Sequence, residues 1–260
     1  MEQAKRITLG DNLYHAYRDK KTVAPITKSL PEMSIEDAYE IQQHIISRRV
    51  ADGERIIGKK IGVTSSAVMN MLDVFQPDFG FLTDTMVYNQ GQSIPSDILI
   101  QPKAEGEIAF VLNKKLAGPG VTAADVLAAT RGVMTCFEIV DSRIQDWNIK
   151  IQDTIADNAS SGVLVLGDRL VDPNDVDLNT CGMILEKNGE IVATGAGAAA
   201  LGAPANAVAW LANTLAVRGV TLNAGEIILS GSLAKMVPVQ AGDNLRVTIG
   251  GIGSCSVRFT

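Results

Sequence analysis

Two glutamates one residue apart, Glu105 and Glu107 in "QPKAEGEIAF" (101–110), are the side chains of this sequence best suited to chemistry. In a strand, side chains alternate between faces, so both carboxylates point the same way, roughly 7 Å apart along the chain. Ala104, Ile108 and Phe110 take the other face and read as core. A third acid, Glu138 in "VMTCFEIVD", lies between Phe137 and Ile139 in a second strand-like run. Carboxylates among apolar neighbours repel one another and resist desolvation, so each needs a cation or a proton. Three of them suit one hard divalent ion held by oxygens, which favours Mg2+ or Mn2+ over zinc. Only His15 and His44 offer imidazoles, and the cysteines are not clustered. The competing reading puts these glutamates on the solvated faces of antiparallel strands, paired to Lys or Arg. Pattern alone leaves both open.

A three-carboxylate ion would keep positions free for water and substrate. A 2-oxo or 2-hydroxy-enoic acid can chelate there through its carboxylate and its C2 oxygen. The ion would then stabilise the enolate that proton movement beside a carbonyl requires. With histidine scarce, proton carriers must be Lys, Asp or Glu. "GKKIGVTS" offers Lys59 and Lys60, and "QPDFG" offers Asp78 between Pro77 and Phe79. Taken singly, Lys60 is more often a surface lysine and Asp78 a turn residue after proline. "DSRIQDW" sets Arg143 and Asp146 at helical spacing, which a surface ion pair explains. "DTIADNASSG" reads as a polar loop, able to hydrogen-bond a carboxylate or to cap a turn. "GAGAAA" (195–200) echoes a dinucleotide-binding loop, but no acidic residue follows at the required distance and no βαβ unit surrounds it. No Ser or Cys sits in a nucleophile elbow.

The bulk numbers narrow the class. The chain has 260 residues, 46% hydrophobic and 20% charged, as expected of a packed globular protein. A net charge of −6 argues against nucleic acid or an anionic membrane surface as partner. Cys136, Cys181 and Cys255 are odd in number and far apart, which fits a reducing cytoplasm rather than a disulfide framework. The N-terminus is too polar for a signal peptide. Residues 191–217 carry no charge, but their glycines, Pro204, Asn206 and Asn213 argue for a strand end, a loop and a buried helix from Pro204, not a membrane span.

These side chains must be positioned by an α+β arrangement. The first sixty or so residues read as helical. Ser34 and Asp37 form a capping box ahead of the stripe Ala38, Ile41, Ile45 and Ile46, and Gly53 ends the helix. From residue 80 the chain is mostly strand-like, with Asn-Gly in "EKNGEIV" predicting a hairpin. Helices are expected at 122–131 and 204–218. There is no regular βαβ alternation and no internal repeat.

Taken in order, "GKKIGVTS", "QPDFG", "QPKAEGEIAFVL", "FEIVDSRIQDW", "DTIADNASSG", "EKNGEIVATGAGAAALG" and "GEIILSGSL" resemble the 2-hydroxypenta-2,4-dienoate (2-oxopent-4-enoate) hydratases of the fumarylacetoacetate hydrolase-like superfamily. The resemblance runs from about residue 10 to the C-terminus. It implies a mainly helical N-terminal region, 1–65, and a β-roll catalytic domain, 66–260, assembling as a homo-oligomer, a pentamer or decamer. By motif, Glu105, Glu107 and Glu138 would hold Mg2+ or Mn2+, Lys60 and Asp78 would be catalytic, and Ser160 would bind substrate. The implied reaction is hydration of a 2-hydroxy-dienoate in aromatic meta-cleavage degradation. Two alternatives share the motifs: a 4-oxalocrotonate (2-oxo-3-hexenedioate) decarboxylase, and a non-catalytic metal-binding partner of it. A complex with such a sister decarboxylase is also implied. In that sister group the position of Asp78 is apolar, so Asp78 favours the hydratase. The superfamily's C–C bond hydrolases pair a His with a Glu, and neither His15 nor His44 sits in that motif.

Overall fold

In the computed structural model, residues 1–65, 69–70 and 74–260 are described. Helices α1 (Gln3–Asp19), α2 (Ile26–Ser29) and α3 (Ile35–Ala51) come first. The capping box expected at the start of α3 is present: the Asp37 N–H donates to the Ser34 hydroxyl, and the Asp37 carboxylate accepts from the Ser34 N–H. Ala38, Ile41, Ile45 and Ile46 are all buried. The helical layer stops at Ala51, and the sheet takes up the chain ahead of the boundary expected at 65/66.

The strands are β1 (Ile56–Gly62), β2 (Asp78–Thr83), β3 (Val87–Asn89), β4 (Ser93–Ile94) and β5 (Pro102–Leu112). Helix α4 (Ala123–Ala129) precedes β6 (Thr130–Asp141), and α5 (Ile151–Ala156) precedes β7 (Ser161–Leu166). Then come β8 (Gly182–Lys187), β9 (Glu190–Ala196) and α6 (Pro204–Ala216), followed by β10 (Ile227–Leu229), β11 (Val237–Pro238), β12 (Asn244–Ile249) and β13 (Gly253–Phe259). The predicted hairpin is β8–β9, with Asn188 and Gly189 both at positive φ, as a tight antiparallel turn requires. Helices α4 and α6 fall where the sequence expects them, each ending slightly early. Among the described residues, no helix is long and apolar enough to cross a membrane.

One sheet runs β2-β1-β10-β5-β6-β7-β3, with β11 pairing β5 beyond β10; the second runs β4-β13-β12-β8-β9. The alternation along β5 separates two environments. On one face Ala104, Ile108 and Phe110 are fully buried in the main core, and Gly106 abuts Val247 of the second sheet. Phe137 and Ile139 of β6 share that face, as their pairing with Gly106 and Ala104 dictates. On the other face Leu82 (β2) and Leu164 (β7) meet Ala109, Cys136 and Leu229 in one small cluster. Strands from both ends of the sheet reach that cluster, so the large sheet curls around it. The carboxylates share this concave face. One end of the trough is therefore plugged by apolar side chains, and the other carries the acids.

Candidate active site

Strand register assembles the acids. Glu105 on β5 lies directly opposite Glu138 on β6, and Glu107 lies opposite Cys136. Oxygens of Glu105, Glu107 and Glu138 come within 4.8 Å of one another. Glu107 and Glu138 are buried, and Glu105 is partly so at the cavity wall. The solvated-face reading therefore does not apply to them.

The same register decides between the two lysines. Lys60 pairs with Leu229 of β10 and faces the trough, where its Nζ lies 3.2 Å from Glu138 Oε1. Lys59 points the opposite way and is paired to Glu226 at 2.6 Å. Neither is a surface lysine. Asp78 begins β2 opposite Gly62, which puts it on the same face as Lys60, and it too is buried rather than a solvated turn residue. This contact needs glycine at 62: a Cβ there would stand 2.3 Å from Asp78 Oδ1 and 3.2 Å from Lys60 Nζ.

One ammonium faces four carboxylates in this trough. Burial alone would pull the Lys60 ammonium down, but Glu138, Asp78, Glu105 and Glu107 outweigh it and hold the group above its ordinary range. Burial, then the charge of Glu138, pushes Glu105 up to about 7. Burial pushes Glu107 well above its ordinary range, reinforced by Glu138 and Glu105. Glu138 and Asp78 are raised by burial, with Lys60 pulling each back. The negative charge is under-compensated. Lys60 is near enough to Glu138 for an ion pair, but both Glu138 oxygens lack a hydrogen bond, as do Glu107 Oε1 and Asp78 Oδ1, among the described residues. The Glu107 carboxylate accepts from the Gly231 N–H, at 2.8 Å to Oε2. Buried carboxylate oxygens left in this state fit a divalent cation bound by Glu105, Glu107 and Glu138.

The trough opens into a cavity of about 440 Å3. Lys60, Asp78, Glu105 and Ser160 all line it, with Thr64 and Ser232. Ser160 ends a turn in which Asn158, Ala159 and Ser160 all have positive φ. Asn158 holds that turn to β2 by accepting from the Phe81 N–H at 2.8 Å and donating to the Phe81 carbonyl at 2.9 Å. Ser160 Oγ lies 3.2 Å from Thr154 Oγ1.

Two readings of this wall need correcting. "DTIADNASSG" is not simply a polar loop, because Ile151–Ala156 is helical. Its polar residues are inside: Asp153 accepts from the Thr27 N–H and hydroxyl at 3.0 and 2.6 Å. Nor does Arg143 pair with Asp146 on the surface. Arg143 is buried, bonded to the Asp157 carboxylate and to the carbonyls of Asp141, Ser161 and Asp157. The helix that spacing presumed is absent, since Asp146 and Trp147 are both left-handed. Gly231, Ser232 and Trp147 are site residues that lie within the stretches "GEIILSGSL" and "FEIVDSRIQDW" but to which the sequence reading gives no role. They arrive through the chain between β10 and β11, which flanks β5 at the acids, and through the loop after β6.

A family model described as "Fumarylacetoacetate (FAA) hydrolase C-terminal" matches residues 61–260, a stretch that begins one residue after Lys60 and contains Asp78, Glu105, Glu107, Glu138 and Ser160. The 2-hydroxypent-2,4-dienoate hydratase of Pseudomonas putida is 65% identical over 213 residues, 82% of this chain and 96% of that protein. The 2-hydroxyhexa-2,4-dienoate hydratase of Comamonas testosteroni is 58% identical over 255 residues, 97% of each. Among solved structures, 4-oxalocrotonate decarboxylase from Pseudomonas putida G7, complexed with magnesium and adipate, superposes with a TM-score of 0.97 at 40% identity, covering 100% of this chain and 99% of that one. Fold, matched family and relatives over nearly the whole length agree: the chain belongs to the fumarylacetoacetate hydrolase family.

Proposed function

We propose that the protein is a hydro-lyase that adds water to 2-hydroxypenta-2,4-dienoate (2-oxopent-4-enoate), giving 4-hydroxy-2-oxopentanoate, in the meta-cleavage degradation of aromatic compounds. The observation that carries this is the buried carboxylate triad beside Lys60 and Asp78 at one wall of a substrate-sized cavity. The two hydratases named above support the substrate class.

Ketonisation of the dienol removes the proton from the 2-hydroxyl and delivers one to C5, leaving a conjugated enone. Water then adds at C4 while C3 takes a proton. Negative charge builds on the C2 oxygen in both steps. Mg2+ or Mn2+ held by Glu105, Glu107 and Glu138 supplies Lewis-acid stabilisation of that oxygen. Lys60, kept charged by the carboxylates around it, adds a fixed counter-charge in a site where water cannot screen it. Asp78 carries protons: it is buried, raised by that burial, and its Oδ1 has no hydrogen-bond partner among the described residues. Ser160, which lines the same cavity, contacts the bound acid. Within this proposal the chains assemble as a homo-oligomer of five or ten subunits, which sedimentation of the purified protein measures.

The decarboxylase is the second reading, favoured by the 0.97 superposition on a 4-oxalocrotonate decarboxylase. Product analysis separates the two. Freshly generated 2-hydroxypentadienoate should yield a product heavier by one water, and 2-oxo-3-hexenedioate should yield no enzyme-dependent CO2. Rapid CO2 release without hydration would overturn the hydratase.

A further inference from the structure

Beyond the acids, the cavity wall turns apolar. Val140 follows Glu138 on the same face of β6, and Val140, Trp147, Ile149 and Met236 all line the cavity. The residue opposite Val140 on β5 is Lys103, whose Nζ lies 4.2 Å from the centre of the Trp147 ring. Trp147 therefore stands over the Val140 side, two residue pairs along the strands from Glu105 and Glu138.

The backbone carries this ring into the cavity in a conformation that L residues avoid: Asp146 and Trp147 have φ of 58° and 55°. Every hydrogen-bonding group of Gln101 is engaged in holding it there. The Gln101 amide donates to the carbonyls of Ser142 and Ile144, both at 2.9 Å. Its side-chain oxygen accepts from the Asp146 N–H, and its main-chain carbonyl accepts from the Trp147 indole N–H, each at 2.9 Å. The Gln101 N–H is fixed in turn by Asp141, at 2.6 Å. From the other side Val23 pins the loop, donating to the Arg143 carbonyl at 2.8 Å and accepting from the Gln145 N–H at 2.9 Å.

We propose that Trp147 determines specificity by packing against the substrate's carbon tail beyond C4, and that Gln101 is the positioning residue that fixes the indole. This rests on the hydratase reading and deepens it. The triad and Lys60 anchor the 2-oxo acid end, which all such substrates share. The tail then meets indole, Val140, Ile149 and Met236, apolar side chains that reward added carbon.

The chain has two tryptophans, Trp147 and Trp210 on α6, so Trp210→Phe leaves Trp147 as the sole indole reporter. This variant, loaded with Mg2+, is titrated with unreactive 2-oxobutanoate, 2-oxopentanoate and 2-oxohexanoate while its emission is followed. The expected result is an emission change that grows with tail length. In parallel, kcat/KM is measured for 2-hydroxypenta- and 2-hydroxyhexa-2,4-dienoate. Trp147→Ala should move their ratio at least about tenfold toward the shorter tail, which depends least on the indole, within the range one methylene commands. Trp147→Phe should move it less, and Gln101→Ala in the same direction with Mg2+ binding unchanged. Emission indifferent to tail length, or a Trp147→Ala ratio within about twofold of wild type, would overturn the proposal. A tail-dependent emission without turnover of either dienoate would support the role of Trp147 while sinking the hydratase reading.

Discussion

Glu107 has one oxygen bound by the Gly231 N–H and another with no hydrogen bond among the described residues, in a trough where like charges crowd one another. Glu107→Gln therefore has opposite consequences with and without the ion. Removing one buried negative charge relieves repulsion, so the metal-free variant should melt no lower than metal-free wild type. Wild type should gain about 2.7 kcal/mol when Mg2+ is present at about 100 times its dissociation constant, and the variant should lose that gain. Thermal melts with Mg2+ and with a chelator check both halves; a variant that keeps the full gain would show the triad to be misassigned. Asp78→Asn separates proton transfer from metal holding. It should keep the Mg2+-dependent rise in melting temperature and lose about 10²–10⁴-fold in turnover, the range general acid–base groups contribute. At this scale much of the site was readable. E-x-E between apolar neighbours placed two carboxylates on one face by strand alternation alone. The burial of Lys60 and Asp78 was not readable from their local sequence, because it depends on β1 lying between β2 and β10 and on Gly62 leaving room.

Helix α3 shows how an element follows from local sequence. Its capping box was legible because both partners lie within four residues, and it predicts that Ser34→Ala costs about 1 kcal/mol with no change in activity. The Ser34 hydroxyl, aided by the N-terminal ammonium and Arg6 and against partial burial, holds the Asp37 carboxyl well below its ordinary 3.8. The folded value is thus below the unfolded one. This contribution is complete above about pH 3.8 and is lost as pH falls through the lowered folded value. Urea melts of wild type and Asp37→Asn should accordingly differ at pH 7 and converge in strong acid. A constant difference across pH would contradict the assignment. Elements whose cause is distant were misread. "DTIADNASSG" reads as a polar loop from its residue types, but its Asp153 bonds Thr27, far away in sequence. "GAGAAA" echoed a dinucleotide-binding loop for an unrelated reason: a Cβ on Gly195 would meet the Leu233 carbonyl oxygen at 1.8 Å, so the glycine permits two segments of the backbone to touch.

Across the whole molecule, the site is shared by β1, β2, β5, β6, the turn before β7 and the chain between β10 and β11. The helical layer backs it from outside: Gln42 on α3 donates to the carbonyls of Phe79 and Ile155 at 2.8 and 3.1 Å, and Thr27 holds Asp153. The apolar plug of Leu82, Leu164, Cys136 and Leu229 closes the trough on the opposite side, which keeps charges strong where they face the cavity. Class and motif order announced this architecture, whereas the curl of the sheet that brings Lys60 against Glu138 exists only in the assembled fold. The account predicts one behaviour above all. Protein stripped of metal and given freshly generated 2-hydroxypenta-2,4-dienoate should leave its ultraviolet absorbance unchanged, and adding Mg2+ should restore rapid bleaching in wild type but not in Glu107→Gln. Bleaching that persists in the stripped protein at the full rate, or that Mg2+ restores equally to the variant, would contradict it.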